Sequence, residues 1–263
     1  MNSSKTIDPF SIKRVGQLDL LVYEPWWELG IMHGMTTSQL SLKGADLERG
    51  ALRVCESFGV ERLLIPAQTH GAEYFDARDA RHIEALLKRH GDLTRRVSAD
   101  ALIAPRSAAA VLKETFEASS KGHSFGYGIL TADCVPLIVL ANDGVALIHA
   151  GWRGLANGII KRVVSQISGA SQGVIMACAG GRSYEVGQEV IEAIGESAVF
   201  ERYPDGRLYL DTALTAAKQL RAAAPGIAIA ISGICTISDS RFHSYRRSGD
   251  LAGRCVTVYV PGA

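Results

Sequence analysis

The sequence predicts a mixed α/β sandwich built as one domain, residues 1–263. Three observations carry that expectation. Short β-branched runs alternate irregularly with amphipathic segments, the pattern of sheets covered by helices. One strand pair, Val135–Leu140 and residues 145–148, is joined by Asn142-Asp143-Gly144, a strong turn signal, so the sheets are not all parallel. No repeat, low-complexity tract or linker interrupts the chain, and one large core suits a chain of 263 residues.

The elements follow in order. Residues 18–32 mix apolar and acidic side chains around Pro25; they predict an edge strand, a turn, then a strand leading into His33-Gly34. Residues 43–58 predict a helix, with Leu47, Leu52, Val54, Cys55 and Phe58 near helical spacing. Residues 62–77 predict a strand ending at Pro66, then a loop. Residues 79–95 predict a helix stopped at Gly91. A short helix is expected over 107–118 and a loop over 119–122. Both hairpin strands read as buried on two faces. Residues 155–168 predict a helix, as do 186–200 and 211–223, while 227–234 and 256–260 predict strands.

Composition narrows the function. Apolar residues make up 47% and charged residues 21%, as in a globular protein. A net charge of +1 gives no bulk pull toward nucleic acid or an anionic membrane. The five cysteines are widely spaced, odd in number and include no CxxC, so they are not a disulfide framework. The N-terminal MNSSKTIDPFSIKRVG lacks the apolar region of a signal peptide, and no run of about 18 apolar residues could span a membrane. A cytoplasmic location is expected.

The chemistry concentrates in TADCVPLIVLANDGVALIHAGWRG, residues 131–154. A three-residue hairpin loop sets Leu137 opposite His149 and leaves Cys134 roughly 10 Å further along an ideal strand. Proline has no N–H to donate to a ladder, so Pro136 predicts that the strand ends or bends, folding Cys134 back toward His149. Three readings stay open: inert core residues, a nucleophile with its base, or two ligands of a metal. His70, in the AQTHG loop, would complete a three-ligand zinc site with one open position, although the wide spacings match no local zinc motif. Arg153 opens a helix, a place suited to an anion. Arg246 and Arg247, in CTISDSRFHSYRRSGDLAGR, are either a solvated loop or a phosphate or carboxylate site.

Together, TADC-x-P, HAGWRG, the Q-x-HG loop, YEVG at 184–187 and CT…SYRR…GR resemble the YfiH-like, or laccase-domain, family, also labelled polyphenol oxidase or multicopper oxidase. The resemblance runs from His33 to Arg254. It implies a four-layer α/β sandwich with mixed sheets flanked by helices, related to a bacterial toxin's cysteine-hydrolase domain. It implies one metal, usually zinc with copper as the alternative, held by His70, Cys134 and His149. The implied activity is phosphorolysis of adenosine, inosine or guanosine to purine base and ribose 1-phosphate, with adenosine deamination and methylthioadenosine phosphorolysis beside it. The partners expected are thus a purine nucleoside and phosphate, in a monomer or small homo-oligomer. Gln68, Arg153, Tyr245, Arg246 and Arg247 are the candidate substrate and phosphate contacts. Asp133 is a candidate to hold a ribose hydroxyl, orient a ligand or transfer a proton beside Cys134 and His149.

Two other chemistries compete. One is a metal-free cysteine hydrolase or deamidase using Cys134 and His149; the other is a single-copper polyphenol oxidase. Seven histidines without a His-x-His pair are too few for a four-copper enzyme. The chain also departs from the family pattern: Ser38 stands where the family carries arginine, the 177–183 segment has Ala179 near the usual proline and gains Arg182, and Ala104 replaces threonine.

Overall fold

Alternation along the strands sorts the apolar side chains into three buried layers, and these set the architecture. The computed structural model describes residues 9–90, 94–107 and 124–262. Its strands are β1 (Phe10–Val15), β2 (Leu18–Tyr23), β3 (Met32–Thr36), β4 (Arg62–Ala67), β5 (Tyr74–Asp76), β6 (Thr94–Ser98), β7 (Ala101–Ala104) and β8 (Phe125–Thr131). They continue with β9 (Val135–Leu140), β10 (Val145–Ala150), β11 (Gln172–Ile175), β12 (Glu185–Val186), β13 (Phe200–Arg202), β14 (Leu208–Leu210), β15 (Ala228–Ile231) and β16 (Cys255–Val260). The helices are α1 (Glu24–Glu28), α2 (Leu47–Phe58), α3 (Ala80–His90), α4 (Trp152–Ala156), α5 (Ile159–Val164), α6 (Gln188–Ile194), α7 (Thr212–Ala223) and α8 (Tyr245–Ser248).

A seven-stranded sheet runs β1-β2-β3-β16-β8-β4-β6 and a six-stranded sheet β15-β11-β9-β10-β7-β5; β12-β14-β13 form a small third sheet. Leu21, Met35, Leu64 and Tyr127 of the first sheet meet Leu102, Ile138, Leu147 and Val174 of the second. On the outer face of the first, Leu20, Leu63, Ile65 and Val256 pack under Ala51, Val54 and Cys55 of α2. On the outer face of the second, Leu137, Val139 and Ile148 pack under Ile160 and Val163 of α5 and Ala216 and Leu220 of α7. The order helix, sheet, sheet, helix gives the expected four layers.

Local chemistry explains several boundaries. Gly59, at φ 67, ends α2 in the left-handed conformation that glycine adopts without strain. The Asp211 carboxylate caps α7 by accepting the Leu214 N–H at 2.8 Å. The structure also revises the sequence reading. Residues 155–168 are not one helix: Gly158, at φ 70, cannot sit inside an α-helix and separates α4 from α5. The 186–200 helix contracts to Gln188–Ile194, flanked by short strands. Arg95 lies in β6, preceded by α3 over Ala80–His90, and the stop expected at Gly91 lies outside the described residues. The turn at Pro25 is the first turn of α1, where proline's missing N–H costs nothing. β2 is an interior strand because β1 pairs along its free edge. The helix expected over 107–118 falls almost wholly outside the described residues.

His33 is a buried titratable group outside the site. Its Nε2 accepts the Tyr23 N–H at 3.0 Å and its Nδ1 lies 2.7 Å from the Ile31 carbonyl, so the ring is held neutral. Burial, partly offset by the Ile31 carbonyl, pushes its pKa down to about 4. The unfolded chain therefore takes up this proton first. Stability is full above the ordinary histidine value of about 6.5 and falls as pH drops toward about 4, at up to about 1.4 kcal/mol per pH unit. Urea midpoints at pH 7, 5.5 and 4.5 should show this fall, and His33→Gln should flatten it.

Candidate metal centre

The end of β10 aims His149 into the molecule. Val145 and Leu147 face the layer between the two large sheets, and period-2 alternation puts His149 on that same face. The hairpin register is Val145 opposite Leu140, His149 opposite Pro136 and Ala150 opposite Val135. It differs by one residue from the expected pairing because the loop has four residues, closed by the Ala141 N–H on the Gly144 carbonyl at 3.0 Å. Pro136 does not break the strand either. It stays within β9, and its carbonyl accepts the Met176 N–H at 3.1 Å. The bend that returns Cys134 to His149 is at Asp133, whose φ of 91 is rare for a residue with a side chain.

Two bonds to its carboxylate help hold that strained turn. The Asp133 carboxylate accepts the Thr236 hydroxyl at 2.7 Å and the Arg246 N–H at 2.6 Å. His70 also has a positive φ, 62. Such positions cost about 1–3 kcal/mol each and persist only where their surroundings over-determine them. For His70 the fixing group is Asp100, fully buried just before β7. Its carboxylate accepts the N–H groups of Thr69 at 3.3 Å, His70 at 2.9 Å and Gly71 at 2.7 Å, and the Thr69 hydroxyl at 3.1 Å. It also takes the His149 Nδ1–H at 2.9 Å, which leaves Nε2 of that ring free to ligate.

His70, Cys134 and His149 thus converge, their ligand atoms all within 4.8 Å of one another. The two imidazoles meet edge to face, with centroids 4.9 Å apart. Burial pushes the Cys134 thiol up, but His149 and His70 beside the sulfur outweigh it and hold it at about 6. For His149 burial works downward, and the Cys134 sulfur and Asp100 carry it up to about 9. Asp100 is held at about 2, because His149 and the backbone donors overcome its burial. A thiolate and two imidazoles fit zinc, and copper as well. With His70 exposed on the cavity side, three protein ligands leave a fourth direction open, as in catalytic zinc sites.

Gly151 makes the convergence possible. A Cβ there would lie 3.0 Å from Cys134 Sγ and 3.4 Å from His70 Cδ2. Its backbone, φ −72 and ψ 171, would accept alanine, so the constraint is space alone. Gly151→Ala should weaken metal binding by about tenfold with little loss of stability; competition against a chromophoric chelator measures it.

The triad lines a cavity of about 790 Å³, a size suited to a small-molecule ligand. Lys43, Arg95, Arg153, Arg246 and Arg254 line it, and Asp133 is the only carboxylate among the described residues that do. Arg153 stacks on Trp152 at 4.3 Å. Arg246 stacks on Tyr184 at 4.7 Å and donates to the Glu185 carbonyl at 2.9 Å. Tyr245, 50% exposed, stands at the wall with Arg254 over its ring. Gln68 lines the cavity, but both ends of its amide bond the Leu130 backbone at 2.7 Å.

Arg247 is a correction. Its guanidinium donates to the carbonyls of Thr236 at 2.5 Å and Phe242 at 2.6 Å, which braces the 236–242 loop, and it is not among the cavity residues. Ser38 likewise bonds the Ser240 carbonyl at 3.0 Å away from the cavity. Sequence reasoning missed Lys43, Arg95 and Asp100. For Asp100 the one available signal was an acid flanked by Ala99 and Ala101 at the mouth of an apolar strand.

Known proteins resemble this chain in sequence and in fold. A purine nucleoside phosphorylase of Xylella fastidiosa is 35% identical over 169 residues, which are 59% of this chain and 65% of that protein. One of Bacteroides thetaiotaomicron is 29% identical over 216 residues, 75% of this chain and 72% of that protein. The adenosine deaminase RL5, from an unknown prokaryotic organism, is 34% identical over 146 residues, 49% of this chain and 56% of that protein. The chain therefore spans just under two thirds of the Xylella protein it matches. Crystal structures of YlmD from Geobacillus stearothermophilus and of YfiH from Bacillus licheniformis share the fold, with TM-scores of 0.77 and 0.75 at 21% identity. They cover 98% and 97% of this chain and 100% of each of theirs. A family model described as "Multi-copper polyphenol oxidoreductase laccase" matches residues 43–260, and the chain belongs to that laccase-like family.

Proposed function

We propose that the protein is a zinc-dependent purine nucleoside phosphorylase. The observation that carries this reading is the His70, Cys134 and His149 triad in a cavity that five cationic side chains also line. The relatives named purine nucleoside phosphorylase support it. Phosphorolysis forms a bond from a phosphate oxygen to C1′ of the ribose while the glycosidic C–N bond breaks, and the purine leaves with a proton. The enzyme must hold a polyanion beside an electron-poor sugar and stabilise the departing base. Arg153, Arg246, Lys43, Arg95 and Arg254 supply the charge for phosphate. Trp152, Tyr184 and Tyr245 supply aromatic faces for the purine.

His70, Cys134 and His149 would hold the zinc, which when bound supplies Lewis-acid polarisation of an oxygen in the cavity. Asp100 fixes the His149 tautomer, and Asp133 positions the backbone of Arg246. Adenosine deamination and methylthioadenosine phosphorolysis belong to the same proposal, and the relative named adenosine deaminase supports the first. Incubation with inosine and phosphate should release hypoxanthine and ribose 1-phosphate. No product from inosine, guanosine or adenosine would overturn the reading.

A second reading has its own observation. Cys134, His149 and Asp100 form a nucleophile, base and orienting-acid chain, with the thiol lowered and the imidazole raised. It needs no metal. Stoichiometric zinc in protein purified without added metal would count against it, and metal-free protein that hydrolyses amides would count for it.

A further inference from the structure

A second cavity, of about 390 Å³, is lined by two cysteines that the proposed reaction does not use. Cys178 and Cys235 are direct partners in a parallel bridge. The Cys178 N–H donates to the Ile234 carbonyl at 3.2 Å and the Thr236 N–H to the Cys178 carbonyl at 3.0 Å. Bridge partners on neighbouring strands sit about 4.8 Å apart and project to the same side of the pleat. That spacing falls inside the window of about 4.4–6.8 Å that a disulfide spans between Cα atoms.

The two thiols differ in environment. Cys178 is buried, and burial raises its thiol to about 12. Cys235 is half-buried at the cavity wall. Its sulfur accepts the Gly180 N–H at 3.4 Å. Burial works against ionising Cys235, but Gly180 and Ser238 outweigh it and hold the thiol below its ordinary value. Gly180, Gly181 and Gly233, which carry no side chains, line the same cavity.

We propose that Cys235 and Cys178 form a peroxide-sensitive thiol pair, with Cys235 attacking and Cys178 resolving. The Cys235 thiolate bonds to one peroxide oxygen as the O–O bond breaks. The leaving hydroxide takes a proton to become water, and Cys235 is oxidised to a sulfenic acid. The Cys178 sulfur then bonds to the Cys235 sulfur, the sulfenic hydroxyl leaves, and the thiol proton goes with it as water. The net change is a disulfide and two waters from two thiols and one molecule of hydrogen peroxide. The link joins the two segments that grip Asp133, because Ala179 donates its N–H to the Asp133 carbonyl at 2.8 Å and Thr236 donates its hydroxyl to the carboxylate.

Metal-loaded protein with all five thiols reduced tests this directly. It is treated with hydrogen peroxide, blocked with N-ethylmaleimide, digested and read by mass spectrometry without reduction. The expected result is a Cys178–Cys235 peptide pair that dithiothreitol reverses, formed at least roughly tenfold faster than any oxidation of the buried Cys55 or Cys255. Cys178→Ser should give no link and leave Cys235 trapped by dimedone as a sulfenic acid; Cys235→Ser should leave Cys178 reduced. Far-UV circular dichroism checks that both variants fold. The proposal fails if both cysteines are fully alkylated at peroxide doses that oxidise an equal concentration of glutathione. It also fails if Cys235 links to any thiol other than Cys178.

Discussion

Cys134→Ala protein is expected to purify folded, to carry less than about a tenth of the parent's zinc, and to release hypoxanthine from inosine at least ~1000-fold more slowly. The reasoning starts from the ligand count. If His70, Cys134 and His149 hold the zinc as proposed, losing the thiolate leaves two imidazoles. Changes to groups that merely orient a metal ligand already cost about 10–100-fold in affinity, and deleting the ligand with the formal charge costs more. The fold should tolerate the change, because alanine removes one sulfur beside Gly151 and introduces no clash. A stability loss of about 1 kcal/mol is the scale to expect. Metal emission spectroscopy after gel filtration and chromatography of released base measure the two effects. His70→Ala then separates the readings. A metal centre loses zinc and turnover with either change, whereas a Cys134–His149–Asp100 nucleophile chain keeps turnover without His70. Cys134→Ala protein that retains stoichiometric zinc would end the metal assignment.

The parts of this site that sequence made legible are those set by local chemistry. Asn142-Asp143-Gly144 marked the hairpin, and the β-branched runs on either side marked its strands. The register slipped by one because Ala141 joins the loop through a bond to Gly144 that composition does not encode. The bend was assigned to Pro136 because proline announces itself. Asp133 does not, and its positive φ is stabilised by Thr236 and Arg246, about a hundred residues on in the chain. β8 escaped notice because Gly126 and Gly128 dilute its apolar run, although every residue in it is buried. Arg247 looked like a phosphate ligand because two adjacent arginines do. Its fate was decided by the carbonyls of a loop whose path only the fold fixes. Arg95 and Lys43 were invisible for the converse reason, since nothing near them in sequence hints that they line the same cavity as His70 and Cys134.

Asp100→Asn is expected to weaken zinc binding by about 10–100-fold and to destabilise the fold by about 2–4 kcal/mol, although Asp100 touches no metal. The carboxylate accepts five hydrogen bonds and donates none. His70 N–H and His149 Nδ1–H share one oxygen, while the Thr69 N–H, Thr69 hydroxyl and Gly71 N–H share the other. Asparagine keeps one acceptor oxygen and replaces the other with an NH₂ donor. If the NH₂ faces His149, the ring must accept at Nδ1, its proton moves to Nε2, and the nitrogen needed for the metal is blocked. If the NH₂ faces Thr69 and Gly71, two part-buried N–H groups confront a donor, at up to about 1 kcal/mol each, and the strained His70 turn loses its restraint. Either orientation damages one ligand, so no rotamer rescues both. Asp100→Glu would keep the charge but push an extra methylene into a fully buried site, and it should restore less than about half of the lost affinity. Chelator competition gives the affinity and urea unfolding gives the stability. An Asp100→Asn protein matching the parent in both would mean that His70 and His149 hold their geometry without this carboxylate, and the account of how the fold builds its metal site would have to move elsewhere.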